Sequence, residues 1–361
     1  MGTKNRRRWW RLTAAGAAAV TLGAAGCGRD EPEPRPRPAE SAATAPAPMA
    51  PARSGNPLAG GNPLAGKILY TDPDGDAAAQ IRQWAAQGRH GDARTLAKIA
   101  EQPIATWVTA GPQPVRERVA TLVTAAAASN RVPVLVIYHI PQRDCGSYSA
   151  GGAGTAAEYR GWIREVAAGI EHRPAVVVLE PDAVPHLVDG CTADDGQRAA
   201  LLRDAIAVLK ATGSATVYLD AGNPGWITDT DRLAGALKRA GIGQADGFAL
   251  NVSNFVTTDE NVAYGTEVSD ALGGKTHFVI DTSRNGAGAV DDTEIDGGPR
   301  WCNPPGRALG PAPTTDTGRP RVDAFLWVKN PGDSDGACRP GEPAAGAWWP
   351  DYALDLAGRS A

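Results

Sequence analysis

Six polar side chains follow six apolar runs along this chain. Asp144 comes after Leu135–Ile140, Asp182 after Val176–Leu179, Asp220 after Val217–Leu219, Asn251 after Phe248–Leu250, Asp281 after Phe278–Ile280 and Asp335 after Phe325–Val328. Carboxyls that converge on one place can share acid and base work. Hydrolysis of a glycosidic bond needs one protonated carboxyl for the leaving oxygen and, in the inverting route, a carboxylate that activates water on the opposite face. Asp182 is the first choice for the acid. It follows the most apolar run, where desolvation and neighbouring carboxylates raise a carboxyl's affinity for its proton. Asp144, Asp220 and Asp335 are left to base, proton-relay and tuning roles. A single Asp after a strand is more often a helix cap or a turn residue, and it is the recurrence that points to a site. Glu180, just before Pro181, is assigned no chemistry.

Residues so far apart in sequence meet only if the runs are parallel strands whose carboxyl ends open on one mouth. Strands are expected at Ile104–Thr109, Val132–Tyr138, Ala175–Glu180, Ala215–Asp220, Gly247–Val252, Thr276–Asp281 and Asp323–Val328. Helical segments fall between them, among them Val115–Ala128, Ala156–Ile170, Gln197–Ala211, Thr230–Ala240 and Asp259–Leu272. That alternation reads as an α/β fold, a distorted TIM-like barrel of about seven parallel strands with an open substrate cleft at the C-terminal strand ends. From Gly286 to Arg321 nothing periodic appears, and a loop of that length in a compact domain is usually functional.

Composition narrows the partners. A net charge of −4 provides no broad basic face, which argues against nucleic acid. Ten Trp against four Phe suit a ligand with flat apolar faces, such as a sugar ring. Residues 1–27 read as a signal peptide of lipoprotein type, with an Arg-rich start, a short apolar stretch and Cys27 at a small-residue junction. Lipidation of Cys27 would anchor the chain to the outer face of a bacterial membrane, and without it the chain would be secreted. Residues 28–62, rich in Pro and Ala, read as a disordered linker; Gly-Asn-Pro-Leu-Ala-Gly occurs at 55–60 and again at 61–66, the second copy being the entrance to the domain. Residues 63–361 form the catalytic domain. The four remaining cysteines suggest two disulfides in an oxidising compartment. Three connectivities are open, of which local order favours Cys145 with Cys191 and Cys302 with Cys338. No metal-ligand spacing occurs, and neither metal nor cofactor is expected.

A series of motifs then resembles glycoside hydrolase family six, the inverting β-1,4-glucanases. They are Tyr138 with Arg143-Asp144-Cys145, the loop Gly146–Gly152, Glu180-Pro181-Asp182, Tyr218–Gly222, Asn251–Asn254, Asp281–Gly286, Trp301-Cys302-Asn303-Pro304, and Trp327-Val328-Lys329 through Asp335-Gly336. The resemblance runs from about Pro63 to the C-terminus. It implies Asp182 as general acid, Asp144 as its proton relay, Asp335 as candidate base, Asp220 as electrostatic support and Tyr138 as the residue crowding the sugar at the cleavage point. It implies sugar platforms at Trp107, Trp226 and Trp301, substrate contacts by Asn251, Lys329 and Asp333, and a mobile loop after Cys145. It implies the same two disulfides.

Asn223 and Asp333 depart from the family's usual His and Glu. The loops before Trp301 and after Asp335 are short beside the tunnel-forming insertions of the family's cellobiohydrolases, which favours an endo-acting cleft. The expected partner is a β-glucan polysaccharide or cello-oligosaccharide, and the expected state a monomer. Two competing readings are a non-hydrolytic carbohydrate-binding protein and, from His139, His186 and Lys329, an enolase-like magnesium site.

Overall fold

The computed structural model describes residues 61–191, 194–291 and 293–360. The expected signal peptide, almost all of the linker, and Cys27 lie outside the described residues.

Val134–Ile137 is buried at every position, as is Ala175–Leu179. A strand packed on both faces needs apolar residues without alternation, and both faces are filled here. Val134, Val136, Val176, Val178, Ala249 and Val279 share one cluster made mostly of strand residues. Leu135, Ile137, Val177, Leu179, Leu219 and Phe248 pack instead with residues of the surrounding helices. The first cluster is the inside of a curl and the second its helical wrapping.

Seven parallel strands build the curl: β1 (Thr106–Val108), β2 (Val134–Ile137), β3 (Ala175–Leu179), β4 (Ala215–Asp220), β5 (Gly247–Leu250), β6 (His277–Asp281) and β9 (Val322–Leu326), in that order across the sheet. Each expected strand is present. The two edges are not zipped together. They meet at one bridge, Ile104 with Trp327, where Ala105 N donates to Trp327 O at 2.9 Å. The result is a distorted, partly open TIM-like barrel.

Helices α3 (Val115–Ala128), α4 (Ala156–Ile170), α5 (Pro185–Asp189), α6 (Asp195–Lys210), α7 (Thr230–Ala240) and α8 (Thr258–Ala271) cross between successive strands. Reciprocal capping boxes, Thr155 with Glu158 and Thr257 with Glu260, fix where α4 and α8 begin. Helices α1 (Asp76–Ala86), α2 (His90–Ala100) and α9 (Pro350–Gly358) add a third cluster around Trp84, Leu96, Ile99, Trp327 and Leu356 at the open seam. The long loop carries one small hairpin, β7 (Glu294–Ile295) with β8 (Gly298–Pro299). Both favoured disulfides form, Cys145–Cys191 and Cys302–Cys338.

Candidate active site

The chain leaves β3 and turns at once, with Glu180 at φ +48° and Asp182 at φ +70°. Positive φ is costly for both residues, so neighbours must hold the turn. The Glu180 carboxylate accepts from His139 N at 3.0 Å and from Ile140 N at 2.9 Å, stitching the end of β3 to the end of β2. Burial pushes its carboxyl up to about 7 against those donors. Asp182 N donates to Asp220 Oδ2 at 2.8 Å, tying the same turn to β4.

This turn presents the Asp182 carboxyl to the cleft, where Tyr138 OH donates to its Oδ2 at 3.3 Å. Burial pushes Asp182 up to about 6; Asp144 adds to the rise, while His186 and the Tyr138 hydroxyl oppose it. Asp144, at φ +52° after β2, is also raised by burial, against the Ser149 N–H that donates to it at 2.6 Å. Asp220 is driven well above the ordinary range by burial and by the charge of Asp182.

Asp335 lives in the opposite environment. Arg284 Nη1 donates to its Oδ2 at 2.9 Å, Asn303 N donates to the same oxygen at 3.0 Å, and Lys329 Nζ lies 3.1 Å from Oδ1. Burial alone would raise this carboxyl, but the Arg284 and Lys329 cations outweigh it and hold Asp335 below its usual range. One cleft thus holds a carboxyl that keeps its proton and another that gives it up, the division of labour that acid–base chemistry requires.

The cleft has a volume of about 1150 Å³, and Trp107, Trp226, Trp301, Lys329 and Asp333 line it with Asp144, Asp182, Asp220 and Asp335. Trp107 is anchored by its Nε1, which donates to Val328 O at 2.9 Å across the open seam. Trp301, 38% exposed, meets the ring of Tyr148 edge-on at 5.7 Å. The loop bearing Tyr148 reaches this far because position 336 is glycine: a Cβ there would stand 2.6 Å from the Tyr148 Cβ. Asp333 is pushed up to about 7 by burial.

Two of the six polar residues that follow strands do not serve the cleft. Asn251 is fully buried; its Nδ2 donates to Asp281 O at 2.8 Å and its Oδ1 accepts from Val256 N at 3.2 Å. Its expected substrate contact is therefore corrected: the side chain is spent on backbone, and Val252, Ser253 and Asn254 line the cleft in its place. Asp281 likewise receives the N–H groups of Ser253, Ser283, Val328 and Lys329. Arg284 and Asn303, the partners of Asp335, sit inside motifs the sequence displays, but nothing in their spacing marks them as ligands of that carboxylate. His186, named above only in the competing magnesium reading, is buried beside the Asp182–Asp144 pair.

With this geometry in view, residues 64–360 match the model of Glycosyl hydrolases family 6. The chain belongs to that family. Among its relatives, Endoglucanase A of Thermobispora bispora is 42% identical over 299 residues, covering 80% of this chain and 61% of the relative. Endoglucanase A of Cellulomonas fimi is 44% identical over 292 residues, covering 80% of this chain and 60% of the relative. The chain thus spans about three fifths of the length of these two curated relatives. The solved structure of the endoglucanase Cel6 from Mycobacterium tuberculosis, in complex with methyl-cellobiosyl-4-deoxy-4-thio-β-D-cellobioside, superposes with a TM-score of 0.76 at 44% identity, covering 82% of this chain and 99% of that one.

Proposed function

We propose that this family 6 chain hydrolyses β-1,4-glucosidic bonds of cellulose or a related β-glucan with inversion, cutting within the polymer. The observation that carries the reading is the pairing of a proton-holding Asp182 with an ion-paired Asp335 in one tryptophan-lined cleft. The endoglucanase names of the relatives and the cellobiosyl ligand of the Mycobacterium structure support the substrate class.

In this reading Trp107, Trp226 and Trp301 offer ring faces to successive glucose units, and Lys329 and Asp333 bind hydroxyls. Tyr138, already against Asp182, crowds the sugar at the cleavage point and favours a distorted ring. Asp182 gives its proton to the glycosidic oxygen as the bond from C1 to that oxygen breaks. Positive charge spreads over C1 and the ring oxygen, and a water molecule attacks C1 from the opposite face. Its proton passes to Asp335, directly or through a second water. Asp335 is a weak base, and an oxocarbenium-like transition state asks little of its nucleophile. Asp144 relays a proton back to Asp182 for the next turnover, and Asp220 holds the turn on which Asp182 sits. The product is an α-anomer.

Export belongs to the same reading, since two disulfides suit an extracellular protein. Lipidation of Cys27 would hold a monomeric enzyme at the outer face of the membrane. The departures at Asn223 and Asp333 favour a second reading, a carbohydrate-binding protein without turnover.

A proton NMR time course on a soluble cello-oligosaccharide decides between the two. Initial α-anomer, abolished in a folded Asp182→Asn variant, is the expected result, with a rate loss of about 100-fold or more. Initial β-anomer would refute inversion. Calorimetric binding without any product would favour the binding protein.

A further inference from the structure

His186 has no part in the steps above, yet its position is over-determined. It lies on α5, the short helix that starts three residues after Asp182, and its backbone N–H donates to Asp182 O at 3.0 Å. The ring is buried, 7% exposed, and packs edge-on against Trp226 at 5.0 Å. Nδ1 sits 3.2 Å from Asp189 Oδ2, and Nε2 is buried with no hydrogen-bond partner. One ring nitrogen, one oxygen of Asp144 and one oxygen of Asp182 all lie within 4.8 Å of one another.

Asp189 adds a covalent constraint. Its Oδ1 accepts from Cys191 N at 3.0 Å, and Cys191 is bonded to Cys145, the neighbour of Asp144. The path from Asp144 through the disulfide, Asp189 and His186 to Asp182 is therefore a closed ring of covalent bonds, hydrogen bonds and close approach. A carboxylate on one ring nitrogen of a histidine favours the proton there and fixes how the other nitrogen is aimed. An imidazole held this way leaves its second nitrogen without a partner beside two carboxyls.

We propose that His186 is a further positioning residue of the reaction: oriented by Asp189, its imidazole governs the pH up to which Asp182 holds the proton it must donate. The inference rests on the reading of Asp182 as general acid. Protonated His186 stabilises the ionised forms of Asp182 and Asp144, in keeping with the lowering influence it has on both. The other charges around this group are Arg198 from α6, Arg143 from the loop after β2, Asp220 at the end of β4 and Arg232 of α7, which donates to Val188 O. Of these, none is shown bonded to Asp189 among the described residues, so His186 gives the acid a second link to the disulfide loop besides Asp144, the neighbour of Cys145.

The test is the titration of Asp182 in the wild type, in His186→Gln and in Asp189→Asn. It is read two ways: by the alkaline limb of kcat/KM on a cello-oligosaccharide, and by carboxyl NMR of aspartate-labelled protein, with Asp182 identified by comparison with Asp182→Asn. Removing a group whose influence on Asp182 is to lower its proton affinity makes Asp182 keep its proton to higher pH. His186→Gln should move both readouts upward by about one pH unit, the lower end of what an opposite charge exerts at this range. Asp189→Asn should move them in the same direction by less, and it carries the test if His186→Gln does not fold. Titrations that coincide in all three proteins would overturn the inference. The NMR readout does not depend on turnover, so absence of hydrolysis in the wild type would count against the functional reading alone.

Discussion

The backbone N–H of Asp182 donates to Oδ2 of Asp220 at 2.8 Å, so the carboxyl that ends β4 holds the turn that follows β3. Asp220→Ala leaves that N–H without its acceptor in a buried place, which costs about 1–3 kcal/mol. Urea unfolding should show the loss, with a fall in kcat because the Asp182 turn relaxes. Asp220→Asn keeps an amide oxygen for the bond and should recover most of the stability. Equal stability of the two variants would mean that the bond does not hold the turn.

Activity should decline above about pH 6. The acid works in its protonated form, and burial places its titration at about 6, so each unit above that removes about nine tenths of the competent form. The Arg284 and Lys329 cations keep Asp335 ionised below the ordinary carboxylate range, so the acid limb lies below pH ~4. A kcat/KM profile that stays flat from pH 5 to 8 would contradict the assignment of Asp182.

Glu180 ties stability to pH. Its carboxyl titrates at about 7 in the fold against an ordinary 4.5, burial being the main cause. A group raised on folding contributes stability that is complete below pH 4.5 and lost as pH rises through 7. Thermal unfolding should therefore soften over that window, and Glu180→Gln should flatten the slope. Glu180→Ala, which strands the N–H groups of His139 and Ile140, should cost about 3 kcal/mol at any pH.

The two disulfides should separate stability from function. They close separations of 46 and 36 residues, and a chain-entropy account assigns each about 4 kcal/mol. Replacing either pair by Ser should lower the unfolding midpoint by a similar amount. Loss of Cys145–Cys191, beside Asp144, should lower kcat. Loss of Cys302–Cys338, beside Trp301, should raise KM. Identical kinetic effects from both would show that neither loop acts locally.

The central strands were legible because a strand buried on both faces must be apolar at every position, and Val134–Ile137 or Ala175–Leu179 can hardly be anything else. Helices α1, α2 and α9 were not picked out. Their apolar residues cover the open seam of the barrel, and that seam exists only once the sheet has curled. Asn251 and Asp281 could not be told from Asp182 by position after a strand. Backbone torsion and neighbouring N–H groups decide whether such a side chain faces the cleft or turns to the backbone, and those neighbours come from other strands.

By itself, the sequence determined a parallel α/β barrel and the set of carboxyls and tryptophans from which a cleft is built, because residue type and periodicity dictate burial, and its ordered motifs carried the resemblance to the family. The sequence put Asp182 first for the acid, and the tertiary structure decided which groups keep its proton on and hold Asp335 ionised. Proton affinity depends on desolvation and on charges a few ångströms away, and the groups that set it, Arg284 and Lys329 for Asp335, Asp144 and His186 for Asp182, are brought there by folding.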